Sequence, residues 1–194
     1  MYGILSALTG AIVLITSERK EGLLKRLEST RVKPTDMILG HFCSNTVIVL
    51  IQFLIGIIVL SLFGFRPWFF NIMSLLIGIL LTVILLSFFQ NALAMITSAV
   101  LKSPEAAGGG VWVLLIPLMM FSGAFFPLEL IMPNVIPYIG WIPTRIAVIL
   151  FQDIAINAIP FWDPAVLMNF LWLSLESVAL FILGIILYRK FAHS

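Results

Sequence analysis

The long stretches without a charged residue decide what this chain can fold into. About 20 consecutive apolar residues cross the hydrocarbon core of a bilayer as a helix. The uncharged runs are Met1 to Ser17, Met37 to Phe65, Pro67 to Leu101, Ala106 to Leu128, and the pair Pro164 to Leu175 and Ser177 to Tyr188. They predict five transmembrane helices, at about residues 2–17, 38–63, 70–101, 107–127 and 165–188.

The composition excludes a soluble fold. Of the 194 residues only 10% are charged and 61% are hydrophobic, and so few charges cannot cover a soluble surface. The net charge of +2 gives no reason to expect a nucleic-acid partner. The single cysteine, Cys43, excludes an intramolecular disulfide and a cysteine-based metal cluster. We therefore predict an all-α integral membrane protein, with one transmembrane domain over residues 1–194 and membrane lipids around it.

The positions of Lys and Arg predict the orientation. Most of them lie between residues 19 and 33, at residue 102 and at residues 189–190, whereas the alternate connections hold only Arg66 and Arg145. Because positive residues are retained in the cytoplasm, the C-terminus is predicted to be cytoplasmic and the N-terminus outside the cell (plasma) membrane. No positive segment precedes the first apolar run. We therefore expect that the chain is a fragment or lacks a first helix.

Residues 18–34 form the one strongly polar stretch. We expect an amphipathic cytoplasmic helix there, with Ser17 as its N-cap and Pro34 as its end. Two interpretations follow from the residues alone. The helix either lies on the anionic leaflet or inserts its apolar face into a soluble partner. That face consists of Leu23, Leu24 and Leu27.

The connection at residues 128–163 is apolar but interrupted by prolines. Proline breaks helices, and irregular backbone at membrane depth needs protein or a water-filled cavity around it. Short re-entrant or interfacial helices on the outer side fit best, and a hydrophobic loop on the outer leaflet is the alternative. Three aromatic residues would then lie at the head-group level: Tyr138, Trp141 and Trp162.

Two blocks of the chain resemble a known family. Residues 18–40, E-R-K-E-G-L-L-K-R-L-E-S-T-R-V-K-P-T-D-M-I-L-G, look like the coupling segment of type-2 ABC exporter permeases, E-R-E-x-G-T-L-x-x-L with a break and a return near L-x-G-K. Residues 121–133, F-S-G-A-F-F-P-L-E-L-I-M-P, are similar to the family's S-G-x-x-F-P-x-x-x-x-P block after its fifth helix. The resemblance covers nearly the whole chain.

The chain departs from the family pattern at several positions. Leu23, Arg31 and His41 stand where Thr, Pro and Lys are common. Where the family often continues P-x-x-Y and later has an Arg, this chain has P-T-R-I from Pro143 and later Gln152. A role for that Tyr or Arg is therefore not carried over.

The resemblance implies the permease subunit of an ATP-binding cassette exporter. Such a subunit forms the substrate route with a second permease, identical or related, and is driven by separate ATPase subunits in two copies. Because the family has six helices, the five spans here correspond to its second to sixth. The implied ATPase-coupling residues are Glu18, Arg19, Glu21, Gly22, Leu23, Leu24 and Leu27. The implied outer gate motif is Ser122, Gly123, Pro127 and Pro133.

No cofactor is expected in this chain. A phosphate-binding loop G-x-x-x-x-G-K-[ST] does not occur, and the glycine run at residues 108–110 has no following lysine. ATP and Mg would therefore bind the partner ATPase. We also expect no catalytic residue and no metal site.

Polar residues inside the spans recur at helical spacing. In lipid such residues mark packed helix faces, and lining a substrate path is the alternative. A charged side chain at mid-membrane costs about 2.5–3.5 kcal/mol, so Glu176 should face other helices. The stripes are His41, Asn45, Gln52 and Gly56; Asn71, Ser74, Gly78 and Thr82; and Ser87, Asn91, Ala94 and Ser98. The candidates for the substrate path are Asn45, Gln52, Asn91 and Glu176.

Two other classes of function compete with the exporter permease. One is a membrane anchor or regulatory subunit that transports nothing, which the absent first helix favours. The other is an intramembrane enzyme acting on lipid, which would need convergent catalytic groups. No residue pattern distinguishes drugs, lipids, polysaccharides or ions as the substrate.

Overall fold

The computed structural model describes residues 2–20, 34–64, 72–101 and 103–192, and the chain is helical over these ranges with no β-strand among them. The α-helices are α1 (Tyr2–Lys20), α2 (Pro34–Leu62), α3 (Ile72–Val100), α4 (Pro104–Phe121), α5 (Leu128–Ile131), α6 (Ile136–Ile139), α7 (Pro143–Phe151) and α8 (Pro164–Ala192). A 3₁₀ turn, Pro133–Val135, precedes α6, and a π-helical turn, Gln152–Ile156, follows α7.

Three of the described helices are long and apolar enough to cross a membrane, namely Leu39–Leu62 of α2, Ile72–Val100 and Pro164–Leu187 of α8. The pair Pro133–Ile139 and Pro143–Ile156 is bent by 112° and would be a fourth crossing if it forms one span. The apolar stretches of α1 and α4 are shorter. The predicted all-α membrane class is confirmed, and the number of five spans stays a prediction.

The central element of the molecule is α3. Over its most apolar window 56% of the residues are buried, compared with 11% for α2 and 22% for α8. One apolar cluster joins α3 to α2, α7 and α8, and a second joins the later part of α3 to α1 and α4. The apolar side chains of α2 and α8 that face away from α3 are exposed, as is normal for helices that meet lipid.

Small and polar residues let the other elements approach α3 closely. The Ser74 hydroxyl accepts a hydrogen bond from the Phe161 N–H at 2.6 Å. A Cβ added at Gly78 would lie 2.6 Å from Ile154 Cδ1. The two predicted stripes of small and polar residues that fall on α3 therefore pack against protein. Asn71, the first residue of one stripe, lies outside the described residues. The buried members are Ser74, Gly78, Thr82, Ser87, Asn91, Ala94 and Ser98.

Two helix boundaries differ from the prediction. Ser17 does not cap a new helix: α1 continues through it to Lys20, and its hydroxyl donates to the Leu14 carbonyl at 2.8 Å. The helix α2 begins at Pro34, before the predicted start of its span at about residue 38, whereas the predicted helix that Pro34 would end falls on residues 21–33, outside the described residues. Proline is favoured at the start of α2 because the first turn of a helix has no use for its missing N–H. Residues 21–33, with most of the predicted coupling segment, lie outside the described residues.

Candidate functional site

A cavity of about 250 Å³ lies where the chain leaves α4 and passes α7. The loop at residues 122–127 forms one wall, and Glu129 of α5 continues it. The opposite wall comes from α7 and the first residue of the π-helical turn. Its side chains are Arg145, Val148, Ile149 and Gln152.

Ser122 and Gly123 turn the chain out of α4 and over the cavity. The buried Ser122 hydroxyl donates to the Met119 carbonyl at 2.8 Å and accepts from the Ala124 N–H at 3.2 Å. Gly123 has a φ of +77°, which L side chains rarely adopt. A Cβ on Gly123 would lie 2.8 Å from Arg145 Nη1. The positive φ therefore favours glycine at the turn, and the absence of a Cβ leaves room for the guanidinium.

Arg145 is the buried charge of the cavity, only 3% exposed. It lies in the first turn of α7, where the positive end of the helix dipole disfavours a cation. Its Nη2 donates to Glu129 Oε1 at 2.5 Å, which is the one side-chain hydrogen bond of Arg145 to the described residues. Arg145 Nε is buried and has no hydrogen-bond partner among them.

Glu129 is the solvent-facing half of this ion pair, with 61% of its side chain exposed. A backbone N–H donor at Glu129 and the neighbouring Arg145 guanidinium lower the pKa of the carboxyl below its ordinary value of 4.5. Glu129 is therefore ionised at neutral pH, and it balances the charge of Arg145.

The π-helical turn gives the cavity its last polar side chain. The Asn157 N–H donates to the Gln152 carbonyl at 2.9 Å, five residues back. Such wide turns are rare in proteins, and those that occur are often found at functional sites. Here it follows directly on α7, so Gln152 lines the same cavity as Arg145.

The structure brings three of the four predicted outer gate residues together. Ser122, Gly123 and Pro127 line the cavity, whereas Pro133 begins the 3₁₀ turn and is not part of the wall. Sequence reasoning missed Arg145, which it used only to count charges. The sequence does contain a signal for this site. Arg145 is an isolated arginine in an apolar segment interrupted by prolines, and Glu129 is an acidic residue in the same segment that could pair with it.

A second polar contact joins the ends of α1 and α2. The Glu18 carboxylate accepts a hydrogen bond from the His41 imidazole, with 2.7 Å between Oε2 and Nε2. The two side chains are 19% and 20% exposed. Glu18 is the only predicted coupling residue whose side chain is described. Arg19 lies in α1, and the others lie outside the described residues: Glu21, Gly22, Leu23, Leu24 and Leu27.

The four predicted path residues lie on α2, α3 and α8, and none of them lines the cavity. Asn45 is buried and its Nδ2 has no hydrogen-bond partner among the described residues. The Asn91 amide donates to the Ser87 carbonyl at 2.8 Å. Gln52 is partly buried, as is Glu176, whose Oε2 is buried without a partner among the described residues. Their part in a substrate path stays a prediction.

A family model described as ABC-2 family transporter protein matches residues 1–186. The match covers α1 to α7 and most of α8. No curated protein and no solved structure matches the chain.

Proposed function

Because this chain belongs to the ABC-2 transporter family, we propose that it is the permease subunit of an exporter that is driven by a separate ATP-binding cassette ATPase. Membership of this family makes the chain a membrane component of a transporter and not an enzyme itself. In the proposed complex two ATPase subunits bind ATP and Mg. Two permease subunits, identical or related, enclose the substrate route.

The observation that carries the proposal is the contact between Glu18 and His41. Glu18 lies just before the segment at residues 21–33, and His41 lies about two helical turns after it, on the helices that this segment connects. A displacement of the segment by a partner would therefore move α1 and α2 together. The apolar cluster around Ile12 and Val111 then passes the movement from α1 to α3 and α4.

Buried polar atoms that have no hydrogen-bond partner among the described residues support a hydrated route beside α2 and α8. They are Asn45 Nδ2, Glu176 Oε2 and Ser177 Oγ. The two helices contact each other, with 5.6 Å between the ring centroids of Phe42 and Phe181. A buried polar group without a hydrogen bond is costly, and water or a polar substrate in a route between the subunits would satisfy these atoms.

In the proposed orientation the chain lies in the plasma membrane, and its segment at residues 21–33 faces the cytoplasm.

Replacement of Leu23, Leu24 and Leu27 together by serine is expected to abolish co-purification with the ATPase. Burial of a leucine side chain contributes about 1.5–3 kcal/mol, so three leucines contribute about 4.5–9 kcal/mol. This is comparable to the free energy of a micromolar complex, about 8 kcal/mol. The chain is co-expressed with candidate ATPase subunits, and the ATPase bound per permease is measured after detergent extraction.

The matched control replaces two basic residues of the same segment, Lys25→Gln with Arg26→Gln. This control should retain the ATPase, because the proposal assigns the contact to the leucine face. If the charge variant releases the ATPase and the leucine variant retains it, the proposed docking face is wrong. If both variants retain it, neither the leucine face nor these two basic residues hold the ATPase, and the proposed docking face is again wrong.

A further inference from the structure

The cavity under Gly123 contains hydrogen-bond donors that the described part of the chain leaves without an acceptor. A guanidinium has five N–H donors, and the described residues accept from Arg145 at a single side-chain contact. Its Nε is buried and has no partner within the described ranges, although buried polar groups are normally hydrogen-bonded. The planar arrangement of these donors suits the oxygens of a phosphate or carboxylate group.

The adjacent carboxylate restricts which anion fits. Glu129 lines the same cavity and lies against the same guanidinium, with most of its side chain open to solvent. A ligand with only negative charge would be repelled by this carboxylate. A ligand that carries a phosphate and a nearby ammonium group would satisfy both Arg145 and Glu129.

The surroundings of the cavity favour an amphiphile. Phe125 and Phe126 line it and are 54% and 51% exposed, and Leu130 beside Glu129 is 82% exposed. The volume of about 250 Å³ is below the range of about 300–1,000 Å³ that is usual for a small-molecule site. The cavity therefore has room for a polar head group, while apolar chains would lie outside it on these side chains.

We propose that this cavity binds the zwitterionic head group of a phospholipid of the phosphatidylethanolamine type. Arg145 binds the phosphate, Glu129 accepts a hydrogen bond from the ammonium group, and Phe125 and Phe126 contact the start of the acyl chains. The same chemistry is offered by a lipid of the surrounding bilayer and by an exported amphiphile with such a head group. The site does not depend on the ATPase, so its test is separate from that of the proposed function.

The test titrates the purified chain in detergent, without an ATPase, with short-chain phosphatidylethanolamine and with short-chain phosphatidylglycerol. Tryptophan fluorescence reports binding, since Trp141 and Trp162 lie in the same connection and are exposed. Wild type should prefer the zwitterionic lipid. Arg145→Met should weaken the binding of both lipids by about tenfold to a hundredfold, which is the effect of losing charged hydrogen bonds.

Glu129→Gln should reverse the preference towards phosphatidylglycerol, because it removes the negative charge and keeps an acceptor for Arg145. The matched control is Glu105→Gln, the same change at an exposed acid in the first turn of α4, and it should behave as wild type. Equal affinities of wild type and Arg145→Met would overturn the proposal, as would a lipid preference that Glu129→Gln leaves unchanged.

The source of the head group is distinguished in the complex with the ATPase. Stimulation of ATP hydrolysis by phosphatidylethanolamine, lost in Arg145→Met, identifies an exported amphiphile. Binding that leaves hydrolysis unchanged identifies a lipid of the bilayer. Both results support the head-group site.

Discussion

Glu129→Ala is expected to lower the free energy of unfolding by about 3 kcal/mol. Arg145 is 3% exposed, and the substitution leaves it with neither a countercharge nor a side-chain hydrogen bond among the described residues. Removing one partner of a fully buried ion pair costs about 3–5 kcal/mol. The lower end applies here because Glu129 itself is exposed. The loss is measured by titrating the purified chain with a denaturing detergent.

Two variants separate this cause from a general effect of mutating the loop. Glu129→Gln keeps an oxygen that can accept from Arg145 and should lose about 1 kcal/mol or less. Arg145→Met removes the buried charge and fills similar space with apolar atoms, so it should stay within about 1 kcal/mol of wild type. A larger loss for Arg145→Met than for Glu129→Ala would contradict the account.

Gly184→Ala is expected to lower the free energy of unfolding by about 2 kcal/mol, which is within the usual cost of overpacking. A Cβ at this position would lie 3.1 Å from the Ala92 carbonyl oxygen and 3.2 Å from the Ala92 Cα. These are backbone atoms of α3, so relief requires α3 and α8 to move apart. The same detergent titration measures the change.

The matched control is Gly56→Ala in α2, where an added Cβ would meet no atom within 4 Å. Alanine favours a helix over glycine by about 1 kcal/mol, so this control should be as stable as wild type or more stable. Similar losses at both positions would show that glycine itself, rather than the close approach of α8 to α3, sets the stability.

The helices could be predicted because the bilayer imposes a length on apolar segments. The run from Pro67 to Leu101 predicted a helix over 70–101, and α3 covers Ile72–Val100. The predictions that differ from the structure concern helix ends outside the membrane, where the thickness of the bilayer sets no helix length. At Ser17 the backbone of α1 continues through a residue that often caps helices, and α2 begins at Pro34 rather than at about residue 38.

The candidate site was only half predictable for a similar reason. Ser122 and Gly123 have local tasks, a helix cap and a turn with positive φ, and short motifs indicate such tasks. Glu129 with Arg145, and Glu18 with His41, meet only because whole helices pack side by side. Periodicity places a residue on a helix face, but it does not say which residue of another helix lies opposite.

The labelling rate of Cys43 tests the central claim most directly. This cysteine is the only one in the chain, is exposed, and lies two residues after His41 in α2. The complex with the ATPase is treated with a maleimide in the presence and absence of ATP, and the label on the permease chain is followed over time.

If the ATPase drives α1 and α2 through residues 21–33, ATP will change the labelling rate of Cys43 in wild type. The variant with serine at Leu23, Leu24 and Leu27 will show no such change. A complex that hydrolyses ATP while Cys43 reacts at the same rate with and without nucleotide would contradict the account.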